Sequence, residues 1–303
     1  MSQPALSFKD RLSIALLSFF GRLPLPFLQR LGRWLGQLAS ALPGLGPFPV
    51  VLRNLQLCFP EKTGAWHEET ARKSMISTGM TAFEFARTWI MPPDYSVAQI
   101  REVHGGELFH DALASGRGVI GIVPHWGTWE FMNAWVNQYT SPVIMYKPGK
   151  QPGVDALVAL ARSRLKATVV PADETGVRAT FKALRQGGFS AILPDHTPTE
   201  AGGVQAPFFG IMTRTAVIVP KLAAKTGCAV IIMGCVRRAD GDGFDMQFLP
   251  ADPDVSNPDV AVAAAAMNRS MEALIRMAPE QYQWTYKRFK HNATLANPYR
   301  FPD

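Results

Sequence analysis

The sequence predicts an α/β fold in which helices cover both faces of a mostly parallel central sheet, with membrane-associating helices ahead of it. Three observations support this. From residue 119 onwards, short apolar segments alternate with helix-like segments, a pattern typical of parallel sheets. Apolar residues make up 47% of the 303 residues and charged residues only 18%, which indicates contact with lipid. The first 42 residues carry apolar side chains at helical spacing.

The N-terminal segment is hydrophobic or amphipathic. The apolar run from Leu12 to Phe20 is shorter than the about 20 residues that cross a bilayer, and no small-residue cleavage site follows it. From Leu25 to Leu42, apolar residues recur at helical spacing with Arg30 and Arg33 between them. This pattern is typical of a helix that lies in the lipid headgroup layer, and a helix packed on the protein's own core is the alternative.

A Pro/Gly-rich break from Pro43 to Pro49 follows this segment. We therefore predict a membrane-associating unit at 1–48 and an α/β domain at 49–303. The domain's predicted strands are 119–123, 142–146, 168–170, 190–193, 229–236 and 244–249, and its predicted helices are 66–90, 128–138, 152–166, 175–186, 215–225 and 259–277. Prolines in first helical turns and glycines after last turns mark several of these boundaries.

The composition restricts the partners. A net charge of +7 favours anionic partners such as phospholipid headgroups, acidic carrier proteins or nucleic acid. No nucleic-acid motif is present, and the apolar N-terminus favours an anionic membrane surface, so we expect no nucleic-acid partner. Cys58, Cys228 and Cys235 form neither a disulfide framework nor a CxxC metal pattern, and we interpret them as buried thiols.

Reactive side chains follow three predicted strands, at residues 124–130, 146–148 and 194–196. In open α/β sheets, ligands bind beyond the carboxyl ends of the strands. His125 and Glu130 are five residues apart, about 140° around a helix, so they cannot meet within one helix. A turn at Gly127 would let the Glu130 carboxylate fold back onto the imidazole, and His125 would then act as a general base on an alcohol.

The chain lacks a G-x-S-x-G sequence, and none of its cysteines lies in a glycine-bracketed turn. Direct attack by a bound acceptor on a thioester is therefore favoured over a covalent intermediate. We expect backbone N–H groups near Gly127, at a helix start, to stabilise the oxyanion.

Several blocks of sequence together have the pattern of a known family. They are Arg53-Asn54-Leu55, Cys58-Phe59-Pro60, Pro124-His125 through Glu130, Leu193-Pro194-Asp195, Pro207-Phe208-Phe209-Gly210, and Gln281-Tyr282 through Arg288-Phe289-Lys290. From about Leu12 to Lys290, the chain resembles the bacterial lipid A biosynthesis acyltransferases, the lauroyl and myristoyl transferases of the lysophospholipid acyltransferase superfamily.

The resemblance implies an enzyme on the cytoplasmic face of the inner membrane that needs no cofactor. Its donor would be an acyl carrier protein or CoA thioester, and its acceptor a hydroxyl of a membrane glycolipid such as a lipid A precursor. It implies His125 and Glu130 as the catalytic dyad, with Asp195 as a second acidic residue near the histidine. The chain reads Asp195-His196 where the family usually reads Asp-Gln, so an ornithine lipid or a pigment headgroup is an alternative acceptor.

Basic side chains are candidates for substrate binding. Lys147, Arg162 and Arg164 are expected to bind acceptor phosphates or the carrier's phosphopantetheine, and a solvated basic face is the alternative. Arg288, within the aromatic and basic stretch 284–290, is expected to lie at the membrane interface. By resemblance, Phe208, Phe209 and Gly210 border the acyl channel, and a plain core turn is the alternative.

Other functions remain open at this point. A thioesterase would use water in place of the lipid alcohol. A metal-dependent hydrolase would use His125, Glu130, Asp195 and His196 as ligands, but no H-E-x-x-H or Cys/His spacing is present, so no metal is expected. A lipid-binding module without catalytic activity is the third alternative.

Overall fold

The computed structural model describes residues 7–42, 46–149 and 151–301. Residues 43–45 of the predicted break lie outside this part of the chain. The helices are α1 (Phe8–Arg22), α2 (Leu25–Ala41), α3 (Phe48–Cys58), α4 (Gly64–Ile90), α5 (Pro93–Ala98), α6 (Gly106–Ala114), α7 (Trp129–Val136), α8 (Pro152–Ser163), α9 (Glu174–Arg185), α10 (Ile218–Thr226) and α11 (Val260–Met277).

A five-stranded mixed sheet lies at the centre, in the order β1-β9-β8-β2-β5. The strands are β1 (Ile100–His104), β2 (Val119–Ile122), β3 (Val143–Tyr146), β4 (Thr168–Pro171), β5 (Phe189–Ile192), β6 (Gly203–Phe208), β7 (Ile211–Ala216), β8 (Ala229–Arg237) and β9 (Phe244–Pro250). Strand β2 is parallel to both β5 and β8, whereas β8 and β9 are antiparallel. The link 238–243 is too short for the crossover that parallel neighbours require.

Smaller elements flank this sheet. Strands β3 and β4 form a parallel pair, and β6 and β7 form an antiparallel hairpin. The predicted helix at 215–225 is wrong at its start, because β7 continues to Ala216 and α10 begins only at Ile218. At the hairpin turn, Phe209 and Gly210 both have positive φ, of 48° and 77°. Such a pair of left-handed residues gives the tight turn that matches strand twist.

Hydrophobic clusters cover both faces of the sheet, as predicted. Ile120 and Ile122 of β2 point into a cluster with α10 and α11. Val119 and Val123 point the other way, into a cluster with α6 and α7. This alternation follows from the two-residue period of a strand, and it buries every side chain of β2. The carboxyl end of β2 is therefore held from both sides.

The N-terminal helices each have a buried and an exposed side. Helix α2 packs along α4, where Gly32 and Gly79 bring the two backbones into contact, since a Cβ on Gly32 would lie 2.6 Å from the Gly79 carbonyl oxygen. Exposed apolar side chains lie on the outward sides of α1 and α2 and at the residue after α2: Phe8, Leu12, Leu16, Phe19, Phe27, Trp34, Leu35, Leu38 and Leu42. Among the described residues, no helix combines the length and apolar character needed to span a bilayer.

Candidate active site

His125 and Asp195 follow two neighbouring parallel strands at the same offset. Ile122 of β2 is paired with Ile192 of β5, and His125 and Asp195 each stand three residues further on, after a proline. Equal offsets beyond a shared register bring the two side chains together at the carboxyl edge of the sheet. The contact therefore depends on strand pairing and not on proximity in the sequence.

A buried carboxylate holds the His125 ring. Nδ1 of His125 lies 2.8 Å from Oδ1 of Asp195, while the backbone N–H of His125 donates to Oδ2 at 2.9 Å. The Tyr282 hydroxyl donates to the same Oδ2 at 3.0 Å. Burial opposes ionisation of Asp195, but the adjacent His125 and its hydrogen bonds outweigh burial and hold the pKa of Asp195 below its usual value. An anionic Asp195 accepts a hydrogen bond from Nδ1–H, which leaves Nε2 as the basic nitrogen.

The predicted contact between Glu130 and His125 is wrong. The Glu130 carboxylate accepts hydrogen bonds from Arg162 Nη2 at 3.4 Å and from Asn133 Nδ2 at 3.3 Å, and no hydrogen bond joins it to His125 in the described structure. Glu130 lies in the first turn of α7, which turns its carboxylate toward α8, where Arg162 lies. The side chain that orients the imidazole is therefore Asp195.

Gly127 shapes the loop between His125 and Glu130. Its φ is +63°, and a Cβ would lie 2.0 Å from the Cys235 carbonyl oxygen, so only glycine fits here. The Gly127 N–H donates to the Gln281 carbonyl at 2.9 Å, so the oxyanion stabiliser expected near Gly127 stays a prediction for the other N–H groups at the start of α7. The next N–H, of Thr128, donates to the Cys235 carbonyl at 2.7 Å. Gly127 thus fixes the path of the loop, and it also lines a pocket that His125 borders.

His196 and Tyr286 extend a stack of rings from His125. The rings of His125 and His196 are parallel within 2°, with centroids 4.0 Å apart, and Tyr286 lies 4.0 Å beyond His196. Burial, together with the nearby His125, lowers the pKa of His196 to about 4. A neutral imidazole therefore covers one face of His125 near neutral pH.

A cavity of about 630 Å³ opens beside these rings. His125, Glu130, Lys147, Arg162 and His196 all line it, and most of its remaining wall is apolar. A smaller pocket of about 230 Å³ reaches His125 from the side of α4. His125 thus lines both the cavity and this smaller pocket.

Arg162 is the basic side chain most closely tied to the cavity. Besides Glu130, its guanidinium lies 4.7 Å from the ring centroid of Tyr146. Burial and a hydrogen bond to Asp155 raise the pKa of Tyr146 to about 12, so its phenol stays protonated. Arg164 points elsewhere and donates to the carbonyls of Trp89, Ile90 and Met91 at the end of α4. The structure therefore brings Arg162 to the cavity and gives Arg164 a capping role.

The predicted residues at 208–210 and 288 lie away from the cavity. Phe208 and Phe209 are buried in the main core, where Phe209 packs on Phe59 and Trp284. The alternative reading of this segment as a core turn fits the hairpin geometry, since Gly210 completes the turn. Arg288 is 3% exposed and donates to the Arg214 carbonyl at 2.7 Å, so the prediction that Arg288 lies at the membrane interface is wrong.

Among the described residues, no group of three or more His, Cys, Asp or Glu side chains is arranged to hold a metal ion. The three cysteines are buried and free, as predicted. Sequence reasoning missed Tyr282, whose hydroxyl donates a hydrogen bond to Asp195. It lies in a block that carried the family resemblance, and a buried tyrosine needs a partner for its hydroxyl.

Comparison with known proteins identifies the family. The sequence profile described as bacterial lipid A biosynthesis acyltransferase matches residues 5–291. The lipid A biosynthesis lauroyltransferase of Escherichia coli K12 is 32% identical over 282 residues, covering 92% of this chain and 90% of the relative. The palmitoleoyltransferase of that strain is 27% identical, with 91% and 89% coverage, and the myristoyltransferase is 25% identical, with 88% and 80%. The chain is an acyltransferase and belongs to the bacterial lipid A biosynthesis acyltransferase family.

Proposed function

We propose that this enzyme transfers a fatty acyl group from an acyl carrier protein thioester to a hydroxyl of a lipid A precursor, with His125 as general base. The observation that carries the proposal is the imidazole fixed by a buried carboxylate at the mouth of a largely apolar cavity. The names of the relatives support the acyl transfer and the type of acceptor. A thioester donor fits the absence of a G-x-S-x-G nucleophile in the sequence.

The reaction needs one proton to move twice. Nε2 of His125 takes the proton of the acceptor hydroxyl as its oxygen attacks the thioester carbonyl carbon. The new C–O bond gives a tetrahedral intermediate, which collapses as the C–S bond breaks. The departing sulfur takes the proton from His125, so the products are an ester and a free carrier thiol. Asp195 stabilises the transient imidazolium through the Nδ1 contact of 2.8 Å.

Glu130 makes no hydrogen bond to His125 among the described residues, so we assign it a role other than orienting the imidazole. With Arg162 it forms an ion pair at the cavity wall, with both side chains largely buried. We propose that the pair binds polar groups of the substrates next to the reacting atoms, and that Lys147 at the same cavity contacts phosphate groups. Both oxygens of Glu130 remain within hydrogen-bonding range of neighbours, so its orientation is defined before substrate arrives.

The acyl chain is assigned to the 630 Å³ cavity, because its wall includes apolar side chains of β3, β5, α7, α8 and α9. The relatives are named for different acyl groups, lauroyl, palmitoleoyl and myristoyl. We therefore propose that the cavity of this enzyme sets the length of the acyl group that it prefers. His196, which stands at a position where the family usually has Gln, lines the cavity as well. An ornithine lipid or pigment headgroup therefore stays an alternative acceptor.

Membrane binding is the second part of the proposal. Exposed apolar side chains run along α1 and α2, and the exposed Arg30 and Arg33 of α2 add positive charge. We propose that residues 1–48 rest on the anionic cytoplasmic face of the inner membrane while residues 49–303 carry the reaction. The buried side of α2 keeps the two parts in contact through α4.

The test is a transfer assay with purified enzyme, radiolabelled acyl carrier protein thioester and a total bacterial lipid extract, with and without chelator. Label is expected in a lipid, unaffected by chelator, and lost in His125→Ala. His291→Ala, which removes an exposed imidazole, serves as the matched control and is expected to behave as wild type. Label released only as free fatty acid would indicate a thioesterase, and loss with chelator would indicate a metal-dependent enzyme.

A further inference from the structure

A buried ion pair contacts the active-site loop, residues 125–130, through Thr128. Glu84 of α4 and Arg237 at the end of β8 face each other in a bidentate contact, with Nε to Oε1 at 2.6 Å and Nη2 to Oε2 at 2.7 Å. The two side chains are 0% and 6% exposed. Two charges taken so completely out of water need nearly ideal geometry to avoid destabilising the fold. Stability alone is therefore a weak reason for this pair.

The remaining hydrogen-bonding capacity of the pair connects separate elements. Glu84 accepts from Gln29 of α2 at 2.9 Å and from the Thr128 hydroxyl at 2.7 Å. Arg237 donates to Ser77 at 3.2 Å and to Thr81 at 3.0 Å, both on α4. The contact with Thr128 is the one that leads to the active site, because Thr128 lies between His125 and Glu130.

Thr128 does not have the usual role of a threonine at its position. It precedes the first residue of α7, where a threonine hydroxyl normally accepts a hydrogen bond from the helix's first turn. Here the side chain makes no such cap, and the hydroxyl donates to Glu84 instead. A local stabilising contact has been replaced by a link to the buried ion pair.

The link acts on a loop that is already held at its backbone. The N–H groups of Gly127 and Thr128 donate to carbonyls of Gln281 and Cys235. The Thr128 hydroxyl adds to these backbone contacts a side-chain hydrogen bond to Glu84, which opposes rotation of the loop about its path. Rotation of the loop moves the imidazole on one side and the Glu130 carboxylate on the other.

We propose that Thr128, Glu84 and Arg237 are positioning residues that hold His125 and Glu130 in their reactive orientation. The inference rests on the proposed function. A displacement of about 1 Å at a reacting group costs on the order of 10²-fold in rate. Through Gln29, the same carboxylate also bonds α2, the helix whose other side carries exposed apolar residues.

The test compares Thr128→Val, which keeps the shape and removes the hydroxyl, with Thr128→Ser, which keeps the hydroxyl. In the transfer assay, Thr128→Val is expected to lose about 10- to 100-fold in kcat, with KM for the acceptor changed by less than about threefold. Thr128→Ser is expected to restore kcat to within about threefold of wild type. Melting temperatures of the two variants should agree within a few degrees.

Thr180→Val is the matched control, since Thr180 is a buried threonine of α9 whose hydroxyl has no partner among the described residues. It is expected to leave kcat unchanged. A Thr128→Val enzyme with wild-type kcat would overturn the inference, and so would a loss that Thr128→Ser fails to restore. Either result would make the ion pair a purely structural feature.

A second measurement separates this inference from the proposed function. If wild-type enzyme transfers no acyl group to lipid, the proposed function fails, yet the loop can still be observed by amide hydrogen exchange. The segment 125–130 should then exchange faster in Thr128→Val than in wild type, and at the wild-type rate in Thr128→Ser. Equal exchange in all three proteins would overturn the positioning role.

Discussion

Asp195→Asn replaces one oxygen of the active site by an NH2 group and is expected to reverse the tautomer of His125. In the structure, Oδ2 of Asp195 accepts two hydrogen bonds, from the His125 N–H and from Tyr282, whereas Oδ1 accepts one, from Nδ1. The single oxygen of an asparagine would take the place with two donors. Its NH2 group would then face Nδ1 and donate to it. The proton would move to Nε2, which could no longer act as a base.

The size of the effect follows from the distance. With Nδ1 and Oδ1 2.8 Å apart, the charge centres of an imidazolium and a carboxylate lie about 4 Å apart, and they attract by about 4 kcal/mol at an effective dielectric constant of about 20. Loss of that attraction in the transition state corresponds to about 10³-fold in rate. We expect kcat to fall by about 10²- to 10⁴-fold, with the acceptor KM little changed.

The transfer assay measures kcat, and ¹⁵N NMR of labelled histidine reports the tautomer. Asp252→Asn is the matched control, because Asp252 pairs with Arg269 at the surface and caps a 3-10 helix. Its kcat should equal that of wild type. If Asp195→Asn keeps its rate within about tenfold of wild type, or if Nδ1 stays protonated, the tautomer argument is refuted.

Three further outcomes are expected. Glu130→Gln should lower kcat/KM by on the order of 10²-fold with an unchanged circular dichroism spectrum, because it removes the charge that holds Arg162 beside the reacting atoms, and normal turnover would make Glu130 structural. The pKa of His196 falls from 6.5 to about 4 on folding, so the unfolded chain binds this proton better than the folded one. As the pH drops from 7 to 5, His196 should therefore lower the free energy of unfolding by about 2 kcal/mol. Equal urea titrations of wild type and His196→Gln at both pH values would contradict this. Trp34→Glu should weaken flotation with anionic liposomes, because this exposed indole lies on the outward side of α2, and unchanged flotation would place the membrane contact elsewhere.

Much of the α/β architecture could be predicted because each element has a local signal. The apolar runs that became β2 and β8 are rich in valine and isoleucine, and Pro152 marks the start of α8. The β6–β7 hairpin was missed because its turn is Phe209-Gly210 and lacks the usual Asn-Gly or Asp-Gly signal. Because the sequence gives no signal for this turn, it predicts the end of β7 as the start of a helix.

The partner of His125 could not be predicted from spacing. Glu130 is only five residues from His125, but a short separation in the sequence does not determine the direction in which the Glu130 side chain points. Asp195 lies seventy residues away, and only the pairing of β2 with β5 brings it near. A signal was present, since both strands end in an apolar residue, a proline and then a polar side chain, at residues 123–125 and 193–195.

Arg162 and Arg164 show the same limit for helices. They are two residues apart, about 200° around a helix, so they cannot serve one site together. Only the packing of α8 decides which of them faces Glu130 and which faces the end of α4. Burial of Arg288 likewise depends on contacts with β7 that no local pattern records.

The equal offsets of His125 and Asp195 have a consequence for how this enzyme can vary in evolution. The separation of base and carboxylate is set by the backbone ladder between Ile122 and Ile192, so neither side chain can compensate for a change of length. One residue inserted into either tripeptide would move its functional group by about 3.8 Å along the chain and break the contact. Related enzymes should therefore conserve the lengths of 123–125 and 193–195.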